Sequence, residues 1–168
     1  TYMARTPQAR ALLDAARAVT RTDAFGVKGA RVGLTGYSQG GSASAAAAEL
    51  APSYAPDLDV RGAAVGAPAA DLSKVAPQLD GSMMSGLTWF ALAGLQAEHG
   101  LDLERVLNDK GLAMVQKART QCVPWALTQA FQKSSDYTRD GRTMAQWLGT
   151  DETPAAAGRA NRLGGTAP

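Results

Sequence analysis

Gly36-Tyr37-Ser38-Gln39-Gly40 places one serine between two glycines at the spacing Gly-x-Ser-x-Gly. A serine hydroxyl is a poor nucleophile until a neighbouring base takes its proton. The spacing suits a nucleophile elbow, a sharp strand-to-helix turn that lifts the serine out of the backbone path. Side chains at Gly36 and Gly40 are expected to clash with the neighbouring strand and helix, which calls for glycine at both. The helix that follows then presents its dipole and free N–H groups to negative charge developing on a substrate oxygen. The backbone N–H of Gln39 is the expected oxyanion-hole donor. Glycine-rich turns also cradle phosphates, but neither Gly-x-Gly-x-x-Gly nor the phosphate-binding loop with its lysine is present.

A hydrolytic serine normally works with a histidine, and His99 is the only one in the chain. It follows Ser38, as the order serine–acid–histidine requires, with Asp71 or Asp80 as the matching acid. His99 also stands just before Gly100 at the end of an expected helix, where a cationic or polar side chain is favoured without any catalysis. The helix-end role is the expectation, and His99 is not expected to be the base. Met83, Met84, Trp89 and Phe90 are candidates for an acyl-chain pocket, since flexible methionine suits varied apolar ligands. Packed core is the alternative reading of the same four. Asp109-Lys110 reads as a solvated turn, and Ser134-Ser135-Asp136 as an N-cap box for a short helix.

The elements that must hold Ser38 follow from local pattern. Thr6 is a good N-cap, Pro7 fits the first helical position, and Gln8 to Val19 is rich in helix formers. Leu12, Leu13, Ala16 and Val19 give that helix a buried stripe. After a turn with Gly26 and Gly29, Arg31 to Thr35 reads as a buried strand. Beyond the elbow, Ser42 to Leu50 is almost all alanine and reads as a helix packed close to a sheet. Pro52 and Pro56 bound an expected loop. Asp59 to Ala67 reads as a second strand, ended by Pro68. Helix–strand–helix–strand argues for a parallel sheet with helices on its faces.

From Asp71 to about Gly149 the pattern becomes helical. Met83, Leu87, Phe90, Ala91, Gly94 and Leu95 share one face. Leu103, Val106 and Leu107 follow Asp102 as N-cap, and Leu112, Val115 and Cys122 continue. Ala126–Phe131 and Met144–Leu148 are two further short helices. A helical block of this size after a sheet strand looks like a cap over an active site. Thr153 to Pro168 is alanine, glycine and proline and reads as linker or loop. The expected division is residues 1–70 as an α/β-hydrolase core segment with parallel strands and flanking helices, 71–150 as an inserted helical cap, and 151–168 as a linker back towards the core.

The elbow with its following glycine, the alanine-rich helix, and the stretches Ala51-Pro52-Ser53-Tyr54-Ala55-Pro56 and Val60-Arg61-Gly62-Ala63-Ala64-Val65-Gly66-Ala67-Pro68 resemble the secretory lipase family of actinobacteria and fungi. Residues Ala9 to Ala18 resemble the helix before the elbow strand, and Phe131 to Asp136 a segment of the family's helical cap. The resemblance runs to about Asp140, and the elbow is its most specific part. It implies a secreted serine esterase or lipase that hydrolyses carboxylic esters, triacylglycerols included, without a cofactor. It carries over Ser38 and the Gln39 amide residue by residue. The family's acid, histidine and second oxyanion donor find no matching position. The expectation is therefore an incomplete active site, with the rest of the sheet supplied by another chain, a second copy or sequence outside this chain.

Composition narrows the alternatives. The 168 residues make one domain-sized chain, and 17 basic against 15 acidic residues leave a net charge of only +2. No basic run suits a phosphate backbone, so nucleic acid is not an expected partner. Apolar stretches break off well short of a bilayer crossing. The first residues, Thr1-Tyr2-Met3-Ala4-Arg5, do not read as a signal peptide. Cys122 is a lone cysteine, and no Cys/His cluster suits a metal. An ester or lipid substrate, with contact to a lipid interface, is the expected partner. An elbow specifies the nucleophile and not the acyl group. A peptidase or acyltransferase on the same fold, and a non-catalytic α/β-hydrolase-like binding module, stay open.

Overall fold

The computed structural model describes residues 2–165, which fall into two compact units, 5–70 with 161–165, and 2–4 with 71–160. The first is an α/β unit. Its elements are α1 (Arg5–Arg21), β1 (Val32–Tyr37), α2 (Gln39–Tyr54) and β2 (Val60–Gly66). The two strands pair in parallel, and α1 and α2 pack on one another. Pairing begins at Val32 with Val60, skips Arg61 in a bulge, and then runs in register from Gly33–Gly62 to Tyr37–Gly66. The bulge re-aims β2 so that Gly66 ends beside the elbow.

Small side chains set the spacing of this unit. Ala46, Ala47, Ala48 and Ala51 of α2 are buried with Ala9 and Leu13 of α1 and Leu34 of β1. A face of alanines lets the helices approach closely, which a face of leucines would prevent. Continuation of α2 through Pro52 to Tyr54 replaces the expected loop. Pro52 removes a single N–H donor. Burial of Ala51 and Ala55, and the Ala55 N–H donating to the Ala51 carbonyl at 2.9 Å, hold the last turn.

Long-range contacts anchor α1 at both ends. Its start lies at Arg5 rather than after a Thr6 cap, because the Arg5 N–H donates to the side-chain oxygen of Asn161 at 2.8 Å. Glu49 binds the Arg5 guanidinium at 2.5 Å and accepts from the Gly164 N–H at 2.6 Å, with its own side chain only 7% exposed. At the other end Arg17 grips Asp57 through two hydrogen bonds at 2.9 Å, which hold the Asp57 carboxyl well below the usual carboxylate range. Glu49→Ala strips a partner from a part-buried arginine and from a backbone donor. It is expected to destabilise by about 3 kcal/mol, a fall of roughly 6–12 °C in Tm. Thermal melts of the variant check this, and an unchanged Tm would remove Glu49 from the list of anchors.

The second unit is helical: α3 (Leu72–Leu79), α4 (Leu87–His99), α5 (Asp109–Ala118), α6 (Val123–Leu127), α7 (Met144–Thr150) and α8 (Glu152–Ala160). Short 3-10 turns stand at Leu103–Arg105 and Ser134–Tyr137. The single Leu107–Thr138 bridge is its only β-pairing among the described residues. Caps start these helices where sequence permits. Asp71 accepts from the Ser73 N–H, Asn108 from the Gly111 N–H, and Thr143 with Gln146 forms a capping box. Asp109-Lys110 thus opens α5 and is not a free turn, because Asn108 caps it.

Three other expectations change. Asp102 makes no side-chain cap bond, and Leu103–Arg105 is one 3-10 turn. The helix expected at Ala126–Phe131 ends at Leu127, and Phe131 sits exposed with φ 63°. The tail expected as linker or loop folds as α8 over Glu152–Ala160. Pro154 falls in its first turn, where a missing N–H is harmless, and Ala155 to Ala157 are strong helix formers. Burial of Pro154 and Ala157, with packing on α7, holds it in place. Residues 166–168 of that tail lie outside the described residues.

Candidate active site

β1 ends at Tyr37 and α2 begins at Gln39, so Ser38 alone makes the turn between strand and helix. Its backbone is at φ 53° and ψ −116°, a conformation an L-residue rarely adopts. Strain of this kind costs on the order of 1–3 kcal/mol and persists only where the surroundings over-determine it. Here they do. The Ser38 N–H donates to the Gly66 carbonyl at 2.9 Å, and the Ser38 carbonyl accepts from the Ser42 N–H at 2.9 Å. The side chain is exposed at the N-terminus of a 16-residue helix. N–H groups of the first turn, that of Gln39 among them, have no acceptor within the helix. They and the helix dipole favour an anion beside Ser38.

The glycines divide their work differently from expectation. A Cβ on Gly36 would stand 2.2 Å from the Gly40 carbonyl oxygen and 2.9 Å from the Gly41 nitrogen. The turn therefore requires glycine at Gly36. A Cβ on Gly40 would meet nothing within 4 Å, which overturns the steric role expected for it. That role belongs to Gly41, whose Cβ would lie 2.4 Å from the Gly66 carbonyl oxygen. The spacing motif hid this, because the close neighbour of Gly41 comes from β2. Ser42 also escaped notice. It is buried, its N–H and hydroxyl both reach the Ser38 carbonyl, and its hydroxyl accepts from Ala69. The Gly40-Gly41 pair and Gly66 at a strand end were the visible signals.

The remaining candidates lie in the helical unit. His99 is the last residue of α4, followed by Gly100 at φ 64°, and its Nε2 sits 3.5 Å from a Glu98 carboxylate oxygen. Asp71 caps α3, and Asp80 accepts from the Ser134 N–H at 2.6 Å. Each of the three is engaged in local structure of its own unit. The α/β unit contains no histidine. The four pocket candidates separate. Met83 and Met84 are exposed, whereas Trp89 and Phe90 are buried. Trp89 packs edge-on to Tyr137 at 4.8 Å, and Phe90 contacts Tyr2 and Trp125 at 5.8 Å. The two aromatic rings are core of the helical unit, because α4 turns them inward. Among the described residues no group of three His, Cys, Asp or Glu side chains could hold a metal.

The chain is 40% identical over 111 residues to the "Probable inactive lipase MT1628" of Mycobacterium tuberculosis, covering 63% of this chain and 25% of that one. It is 40% identical over 103 residues to Lipase 2 of Candida albicans, covering 59% and 22%. The chain thus spans about a quarter of the length of these curated relatives. Its structure superposes on Candida antarctica lipase A with a TM-score of 0.83 at 26% identity, over 96% of this chain and 37% of that one. The parallel strand pair with flanking helices is accordingly a segment of an α/β-hydrolase fold. A sequence model described as Secretory lipase matches residues 1–168, and the chain belongs to the secretory lipase family.

Proposed function

We propose that Ser38 is the nucleophile of a serine carboxylic ester hydrolase. The observation that carries this is the strained, exposed Ser38 backbone at φ 53° and ψ −116° at the head of α2. Strain held at a single polar residue, beside free helix N–H groups, marks a site where charge develops. The Ser38 proton passes to a base as the oxygen adds to the ester carbonyl, with the Gln39 amide on the oxyanion. The ester C–O bond then breaks, the alcohol leaves with that proton, and an acyl-enzyme remains. Water adds to the acyl carbon, the carboxylic acid leaves, and Ser38 regains its proton.

The base and its orienting acid come from outside residues 5–70, as does the second oxyanion donor. Residues 71–150 form a helical cap segment, and its exposed Met83 and Met84 offer apolar contact to a lipid interface. Relatives named Lipase 2 and Lipase 1 in Candida albicans, and the Trichothecene C-3 esterase of Fusarium sporotrichioides, support lipid or other esters as the substrate class. The family's description supports secretion.

A second reading has its own observation. The mycobacterial relative is named a probable inactive lipase, and the α/β unit here has no histidine. On that reading the chain belongs to a binding module that keeps the elbow without turnover. A fluorophosphonate probe separates the two, because it bonds only to an activated serine. Labelling mapped to Ser38 by mass spectrometry, with hydrolysis across a panel of p-nitrophenyl esters of rising chain length, is expected. Absence of labelling in the folded protein would favour the binding module.

A further inference from the structure

Ser42 lies one turn beyond Ser38 in α2 and is buried. We propose that Ser42 is a positioning residue for Ser38, its hydroxyl bracing the strained elbow against the loop that leaves β2. The inference rests on Ser38 being the nucleophile.

Three hydrogen bonds close a ring. Ser42 Oγ donates to the Ser38 carbonyl at 3.3 Å and accepts from the Ala69 N–H at 2.9 Å. The Ser38 N–H donates to the Gly66 carbonyl at 2.9 Å. Ser38 is thereby tied at its N–H to the end of β2, and at its carbonyl, through Ser42, to the residues just past that end. Both tied segments carry an unfavourable backbone, Ser38 at φ 53° and Ala67 at φ 45°, and neither is glycine. Such residues relax unless neighbours hold them.

A bond from a helical serine to the carbonyl four residues back is common and by itself signals nothing. The Ala69 contact is what distinguishes Ser42. Only a group that donates and accepts at once can link a carbonyl to an N–H. An alanine, the usual residue of this helix, would pack equally well and link neither. Ser42→Ala leaves the Ala69 N–H without this acceptor and releases the loop from the elbow. The direction of the Ser38 hydroxyl then blurs, which slows reaction at Ser38 more than it weakens substrate binding.

The test uses the full-length protein. Ser42→Ala is expected to lower both the second-order rate of fluorophosphonate labelling at Ser38 and kcat by roughly 10- to 100-fold, with KM little changed. Ser42→Thr keeps the hydroxyl and is expected to recover most of the rate. Circular dichroism and Tm verify that each variant is folded. Hydrogen exchange of the wild-type Ala69 amide gives a reading that needs no variant, and protection comparable to the Ser38 amide is expected. A folded Ser42→Ala that labels at the wild-type rate overturns the role of Ser42 and leaves Ser38 as nucleophile. A folded Ser42→Thr as slow as Ser42→Ala, or unprotected exchange at Ala69, overturns it as well. Wild-type protein that takes no label at Ser38 overturns both readings together.

Discussion

Ser38→Ala is expected to abolish fluorophosphonate capture and to lower ester turnover by roughly 10⁴- to 10⁶-fold, the range seen when one member of a catalytic triad is removed. The loss falls on kcat, because the acyl-enzyme has no oxygen on which to form. Stability should hardly move. The side chain is exposed, and alanine keeps the Cβ that makes φ 53° unfavourable, so the strain stays the same. Exposed substitutions away from special features change stability by about 0.5 kcal/mol or less. Ser38→Gly supplies the complement. Glycine adopts positive φ freely, so this variant should be equally inactive yet melt a few degrees higher, about 2–4 °C for each kcal/mol of strain relieved. Full turnover in Ser38→Ala would place the nucleophile elsewhere. A Ser38→Gly protein that melts below the wild type would show that the backbone at this turn is not strained.

Gly36→Ala and Gly41→Ala are expected to damage the fold and the site together, while Gly40→Ala is tolerated. The added Cβ meets backbone in both damaging cases, the Gly40 carbonyl oxygen at 2.2 Å and the Gly66 carbonyl oxygen at 2.4 Å. Backbone cannot rotate aside as a long side chain can. Either β1 parts from α2, or α2 slides off the end of β2. Overpacking of this kind costs about 3 kcal/mol, a fall of roughly 6–12 °C in Tm. The Ser38 N–H bond to Gly66 should be lost with it, and labelling at Ser38 should fall even in the fraction that remains folded. Gly40 points its missing Cβ into open space within α2. Alanine is a better helix residue than glycine by about 1 kcal/mol in a helix interior, and by less in a first turn, so Gly40→Ala should be neutral or slightly stabilising. Thermal melts of the three variants, paired with labelling rates, decide the matter. A Gly40→Ala protein as damaged as Gly36→Ala would restore the steric role to Gly40 and take it from Gly41.

Residue types within a few positions of one another were enough to predict the strand, the elbow and the helix after it. A turn that tight is governed by clashes between neighbours in sequence, so Gly36 and Ser38 could be read directly. Helical character from Asp71 onward was legible for the same reason, since a helix places residues three and four apart on one face. What escaped the sequence depends on groups brought near only by folding. Gly41 is crowded by Gly66, which arrives from the neighbouring strand. The start of α1 is capped by Asn161, 156 residues away. Helix α2 crosses Pro52 because Ala51 and Ala55 are buried beneath it. Trp89 and Phe90 read equally well as pocket or core until Tyr137, Tyr2 and Trp125 were seen against them. Local sterics and propensity act along the chain and can be read from it. Close backbone approach, long-range caps and burial depend on distances that exist only once the strands have paired and the helices have packed.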